Sequence, residues 1–113
     1  MRRAKAAGYK VYLYFVSTET PEINIDRVGI RVKSGEHNVP RYKIIKRYYR
    51  SHKLLYKAVK LSYQSFFFDN SKTGEKFKLF AQLKSIKGKE NWIRYDKPLF
   101  PSWFKRYYLN KII

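Results

Sequence analysis

Cysteine is missing altogether, which excludes disulfides, thiolate nucleophiles and cysteine-based zinc sites. Carboxylates are scarce, eight Asp and Glu against twenty-six Lys and Arg, so paired-acid chemistry has few candidates and no pair is close enough in the chain to suggest one. The two histidines, His37 and His52, lie fifteen residues apart with no acidic cluster to join them, and no metal site is expected. There is no GxxxxGK(S/T) phosphate loop, GxSxG elbow, HExxH or GxGxxG, which removes the commonest nucleotide, hydrolase and zinc signatures. No apolar run approaches the roughly eighteen residues of a membrane span. The apolar stretch 11–16 behind the basic Met1, Arg2 and Arg3 is too short for a signal-peptide core. A cytoplasmic protein with no membrane partner is expected.

What is abundant is positive charge and aromatic surface. The 113 residues suit one small domain and carry a formal charge of +18 with a pI near 10.2. Such a field attracts polyanions and opposes compaction; it fits equally a Lys-rich bias with solvated lysines on every face. Eleven Tyr and eight Phe are more rings than a domain this size seals inside, so many must sit half-exposed or at interfaces.

Along the chain, residues 2–8 read as the last turns of a helix that began further upstream, stopped at Gly8. Residues 9–16 are apolar or aromatic after Lys10, without polar alternation, which predicts a strand covered on both faces. Thr20, Pro21 and Glu22 open a helix through Ile23, Ile25, Val28 and Val32 that ends at Gly35. Pro40 opens the clearest periodic segment, about 40–63. Ile45, Tyr48, His52, Leu55, Val59 and Tyr63 form its apolar stripe, with Lys46, Arg50, Lys53, Lys57 and Lys60 opposite. Residues 65–68 predict a second fully buried strand, residues 77–84 a third at an edge, and residues 102–109 a short terminal helix with Ser102 as cap. Helix, glycine turn and buried strand in that order predict an α/β fold with a parallel sheet.

One cluster carries candidate chemistry. Arg27 and Arg31 are four apart on the first helix, Arg47 and Arg50 three apart on the second, and a short Gly/Pro loop joins the two. Four guanidinium groups brought together would grip phosphate oxygens through their planar forks and neutralise charge on a migrating phosphoryl group. The same residues describe a solvated basic helix pair. His37 in the joining loop either touches ligand or caps nearby backbone. Asp69 and Asn70 follow a strand where open α/β sheets meet ligands, or form a turn that ends it. The rings of Tyr48, Tyr49, Phe66, Phe67 and Phe68 read as core, since stacking platforms for bases require exposure.

The run Arg3-Ala4-Lys5-Ala6-Ala7-Gly8-Tyr9-Lys10-Val11-Tyr12-Leu13-Tyr14-Phe15-Val16 is followed in order by Arg27-Val28, Arg31-Val32, Gly35, His37 and Val39-Pro40. Arg47-Tyr48, Arg50-Ser51 and Phe68-Asp69-Asn70-Ser71 then complete the set. This ordered set resembles the zeta-toxin-like family of P-loop ATPases from Arg3 to about Ser71, with a looser echo at Pro101-Ser102-Trp103. Members are α/β P-loop proteins related to small-molecule kinases, and some are toxins that phosphorylate nucleotide sugars. The resemblance implies that residues 27–50 are a lid over ATP phosphates. Arg31, Arg47 and Arg50 would then be the catalytic phosphate contacts, with Arg27, His37, Asp69 and Asn70 on the ATP side. Two departures stand out: Glu36 replaces a usual glycine, and Ile45 replaces a usual basic residue. The family's Walker A half, which holds the β and γ phosphates and magnesium, has no counterpart in the sequence.

The expectation is therefore a partial P-loop-kinase-like α/β domain of kinase ancestry, inactive alone. ATP and magnesium are implied by resemblance only and would not be bound productively. An upstream Walker A-bearing fragment or an antitoxin is the implied partner. The alternative is a basic nucleic-acid-binding module using the lysine stripe and exposed rings. Half a sheet would expose apolar edges, so a homo-oligomer or dependence on a partner is also expected.

Overall fold

The aromatic run after Gly8 becomes strand β1 (Tyr12–Ser17). The computed structural model describes residues 8–33, 35, 38–72, 74, 76–87 and 89–112. The helix expected over residues 2–8, which Gly8 would stop, lies outside these but for Gly8 itself, whose φ of +86° is one that glycine adopts freely. Two helices follow, α1 (Pro21–Lys33) and α2 (Arg41–Leu61). Proline, with its fixed φ, opens the first of them as expected. Strands β2 (Gln64–Asp69), β3 (Lys78–Ile86) and β4 (Lys89–Tyr95) complete a four-stranded sheet in the order β1-β2-β3-β4. A 3-10 turn (Lys97–Leu99) leads to α3 (Ser102–Phe104), a π-helical stretch (Lys105–Leu109) and a final turn α4 (Asn110–Ile112).

The architecture is α/β. β1 and β2 run parallel, Tyr12 opposite Gln64 and Ser17 opposite Asp69, joined through the two helices. β3 and β4 extend the sheet antiparallel, with register shifts at Phe67/Phe68 and Gln82/Leu83. The third strand is therefore internal rather than at an edge. The edges are β1 and β4, and in β4 only Trp92 is less than exposed.

One face of the sheet carries the core. Phe15 of β1 and Ser65 and Phe67 of β2 point to it, with Phe80, Ala81 and Leu83 of β3. α2 brings Ile44, Tyr48, His52, Leu55 and Val59 as its buried stripe. The inner start of the stripe is Ile44 and not Ile45, and Tyr63 lies beyond the helix. The C-terminal helical run supplies Trp103, Phe104 and Tyr108, each at most 2% exposed. Phe67 meets Phe104 at 4.9 Å and Tyr108 at 5.4 Å between ring centroids. The run is held at its start by Glu19, whose carboxylate accepts from the Ser102 backbone N–H at 2.8 Å and from the Ser102 hydroxyl. Ser102 is thus the one held, not the cap its place in the sequence suggests.

No described element covers the opposite face, which corrects the expectation of two strands buried on both sides. Tyr12, Tyr14 and Val16 alternate outward and are exposed, and Phe66 and Phe68 are half-buried. Cross-strand register sets Tyr14, Phe66, Gln82 and Arg94 in one row on that face, with Tyr12, Gln64, Lys84 and Asn91 in the next. A run of aromatics without polar alternation reads as doubly buried. Tyrosine satisfies the same pattern while leaving its ring half in water.

Candidate functional site

Beyond the C-terminal ends of the parallel pair, α1 and α2 diverge and leave a cleft of about 560 Å³. That end of parallel strands is where open α/β sheets receive ligands. Helical periodicity decides what lines it. Asn24, Arg27, Val28 and Arg31 recur at the spacing of one face of α1, and Ile44, Arg47, Tyr48 and Ser51 at the same spacing on α2. Thr18 from the β1–α1 loop and Asn70 after β2 close the sheet side. Among the described residues that line it, none is Asp or Glu.

The residues singled out in the sequence divide accordingly. Arg27, Arg31, Arg47 and Asn70 line the cleft together. Arg31 and Arg47 are exposed, whereas Arg27 is half-buried and donates to the Asn70 carbonyl at 2.6 Å. Arg50 is exposed and is not among the lining residues; three residues past Arg47, it sits roughly 110° around α2 from the centre of the lining face. Asp69 faces the other way, accepting from the Ser71 hydroxyl at 2.7 Å and from the Trp103 indole at 3.4 Å. It ends the strand as a turn residue would. His37 lies outside the described residues.

Groups that spacing did not reveal make the wall rigid. The Asn70 N–H donates to the Ser17 carbonyl at 2.8 Å, and the Glu19 N–H to the Ser71 hydroxyl at 2.9 Å. The Tyr48 hydroxyl donates to the Thr18 carbonyl at 2.6 Å. Burial pushes the Tyr48 phenol well above its usual range, with nearby Tyr107 and Glu19 adding to the effect, so it stays a donor.

Beneath the cleft, His52 is 1% exposed, ringed by Phe15, Tyr48, Trp103 and Tyr107 at centroid distances of 5.4, 4.2, 5.4 and 5.0 Å. Its Nδ1 lies 2.6 Å from the Tyr48 carbonyl and its Nε2 2.9 Å from the Ser17 hydroxyl. A carbonyl only accepts, so Nδ1 carries the proton and Nε2 accepts from Ser17. Burial holds the imidazole below its usual pKa, against the opposing pull of the Tyr48 carbonyl. It is a neutral floor post, its two nitrogens meeting a hydroxyl and a carbonyl and no acid.

The donor set suits phosphate: guanidinium forks, an amide and hydroxyls, with no carboxylate among the described lining residues. It does not suit magnesium, which takes carboxylate and water oxygens. Among the described residues there is no group of three or more His, Asp or Glu placed to hold a metal ion, and no helix is long and apolar enough to cross a membrane. No family model, no curated protein and no solved structure matches the chain.

Proposed function

We infer that the cleft binds the phosphates of a nucleotide or related phosphoester, as the lid of a zeta-toxin-like kinase would. The observation that carries this reading is the convergence of Arg27, Arg31 and Arg47 on one cleft beyond the ends of two parallel strands. Arg27 is already oriented by the Asn70 carbonyl, which leaves its fork less freedom to lose on binding. Arg31 and Arg47 project from different helices, so a bound phosphate would tie α1 to α2. These residues neutralise and orient phosphate charge. They do not transfer it, because a Walker A loop that would cradle the β and γ phosphates does not occur in the sequence. The implied partner is a polypeptide that carries such a loop.

Titration calorimetry with ATP, ADP and pyrophosphate tests the reading. Binding should require phosphate, so adenosine should give no heat. Arg31→Ala and Arg47→Ala should each weaken ATP binding by about tenfold or more, the loss of one charge-assisted hydrogen bond. ATP hydrolysis by the chain alone should be undetectable. Wild-type affinity in both variants would refute the cleft as the phosphate site, and steady turnover would refute the inactive lid.

A further inference from the structure

We propose that the uncovered face of the sheet is a stacking platform for single-stranded nucleic acid, a site separate from the arginine cleft and independent of its function. The face has the two components such a platform needs. The first is open aromatic surface. Tyr14 is 63% exposed and lies flat against Phe66, 4.7 Å between centroids with planes 4° apart, and Phe68 stacks beside it at 6.4 Å. Tyr12, one row along, is 49% exposed. Bases stack on such rings whatever their sequence, because every base has a π-face.

The second component is positive charge at the margin. The Lys10 and Lys84 ammonium groups stand 4.6 and 5.2 Å from the centre of the Tyr63 ring, which meets Tyr12 edge-on at 5.8 Å. Both lysines thus border the row of rings, within reach of a backbone whose bases lie on it. None of the outward positions of the four strands is Asp or Glu. Amides complete the surface, Gln82 donating to Gln64 at 2.9 Å, and these can turn to meet base edges.

Charge and ring geometry select the occupant. In a duplex the bases are stacked on each other and out of reach of rings on a flat sheet, so only unstacked bases use this face. A second copy of a chain with net charge +18 would set the same lysines against each other, and Asp96, the acid bordering the face, is already engaged by Arg94 at 2.9 Å. A single strand brings flat bases and negative phosphates together, the complement of both components.

Fluorescence anisotropy with a labelled twelve-nucleotide oligouridine, as RNA and as DNA, tests this on the full chain. Wild type should bind both and prefer either to a duplex of equal length; a difference between them reports contact with the 2′-hydroxyl. Tyr14→Ala should weaken binding about tenfold, as loss of one base–ring stack, and Tyr14→Phe should restore it. Lys84→Gln should lower the slope of log affinity against log salt by about 0.7, one phosphate contact on a single strand. Tyr14 is exposed, so its variants should keep the wild-type circular dichroism, and Lys84→Gln gives a second readout that does not depend on them. ATP binding in the cleft should be unchanged in all three variants. Equal affinity for duplex and single strand, or an affinity indifferent to Tyr14 and Lys84, would overturn the proposal. So would a concentration-dependent dimer in sedimentation that Tyr14→Ala dissolves without changing oligonucleotide affinity, since the face would then belong to a second copy.

Discussion

Acid should destabilise this protein through His52. The ring is 1% exposed, both nitrogens are engaged, and Nε2 accepts from Ser17. Protonation would turn that acceptor into a second donor facing a hydroxyl, inside a cage of four aromatic rings. The folded-state pKa therefore lies below that of the unfolded chain. The unfolded state then binds the extra proton first, and stability is full above the unfolded value of about 6.5 and falls as pH drops below it. A single group gives at most about 1.4 kcal/mol per pH unit, so the loss from pH 7.5 to 5 is bounded at about 2 kcal/mol. For a chain of this size that bound is on the order of a 1 M shift in urea midpoint. Urea unfolding followed by tryptophan fluorescence suits the purpose, because Trp103 lies 5.4 Å from the ring. His52→Gln provides the reference: its constant offset, the contribution of His37 and the general effect of net charge all cancel in the difference between proteins. A wild-type minus variant difference that stays flat from pH 7.5 to 5 would refute the buried neutral histidine. One that favours wild type in acid would reverse its sign.

Two further outcomes follow from the packing. Trp103→Ala removes a side chain 2% exposed at the junction of β1, α2 and the C-terminal run; it should lose about 3–5 kcal/mol, read as a lower midpoint in thermal unfolding, and a shift under 1 kcal/mol would contradict the core assignment. Glu19→Ala frees the Ser102 N–H and hydroxyl. It should lower stability by about 1 kcal/mol, the usual effect of a lost helix cap, with faster amide exchange at residues 102–104 and no change in ATP binding.

The sequence revealed the helices better than the sheet, for a physical reason. A helix with one buried stripe repeats every 3.6 residues, and Tyr48, His52, Leu55 and Val59 stand on that repeat. The slip from Ile44 to Ile45 is one step at the helix start, where two neighbouring positions straddle the edge of the stripe. Strand burial depends instead on what the topology lays over each face, and local pattern does not contain that. Residues 12–16 look alike whether a helix covers the outer side or water does. β4 is hard to read because a register shift sets Trp92 and Ile93 side by side, which breaks the alternation of a half-buried strand, and only Trp92 is less than exposed.

The same distinction governs the site. Arg27 and Arg31 are four apart on one helix, so their shared face followed from spacing alone. Whether Arg47 or Arg50 joins them depends on the rotation of α2 about its own axis. That rotation is set by the apolar stripe: burying Tyr48 and His52 turns Arg47 toward the cleft and carries Arg50 away. The core stripe and the candidate phosphate contacts are thus one constraint. A change that rotates α2 to bury a different face would remove Arg47 from the cleft without touching it. Pairing Leu55→Ala with an ATP titration separates the two roles, because a core loss that leaves α2 in its rotation should lower stability by about 2–5 kcal/mol yet keep the affinity of the folded protein. Loss of ATP affinity in a protein still folded would mean that packing at Leu55, and not the stripe as a whole, sets where Arg47 points.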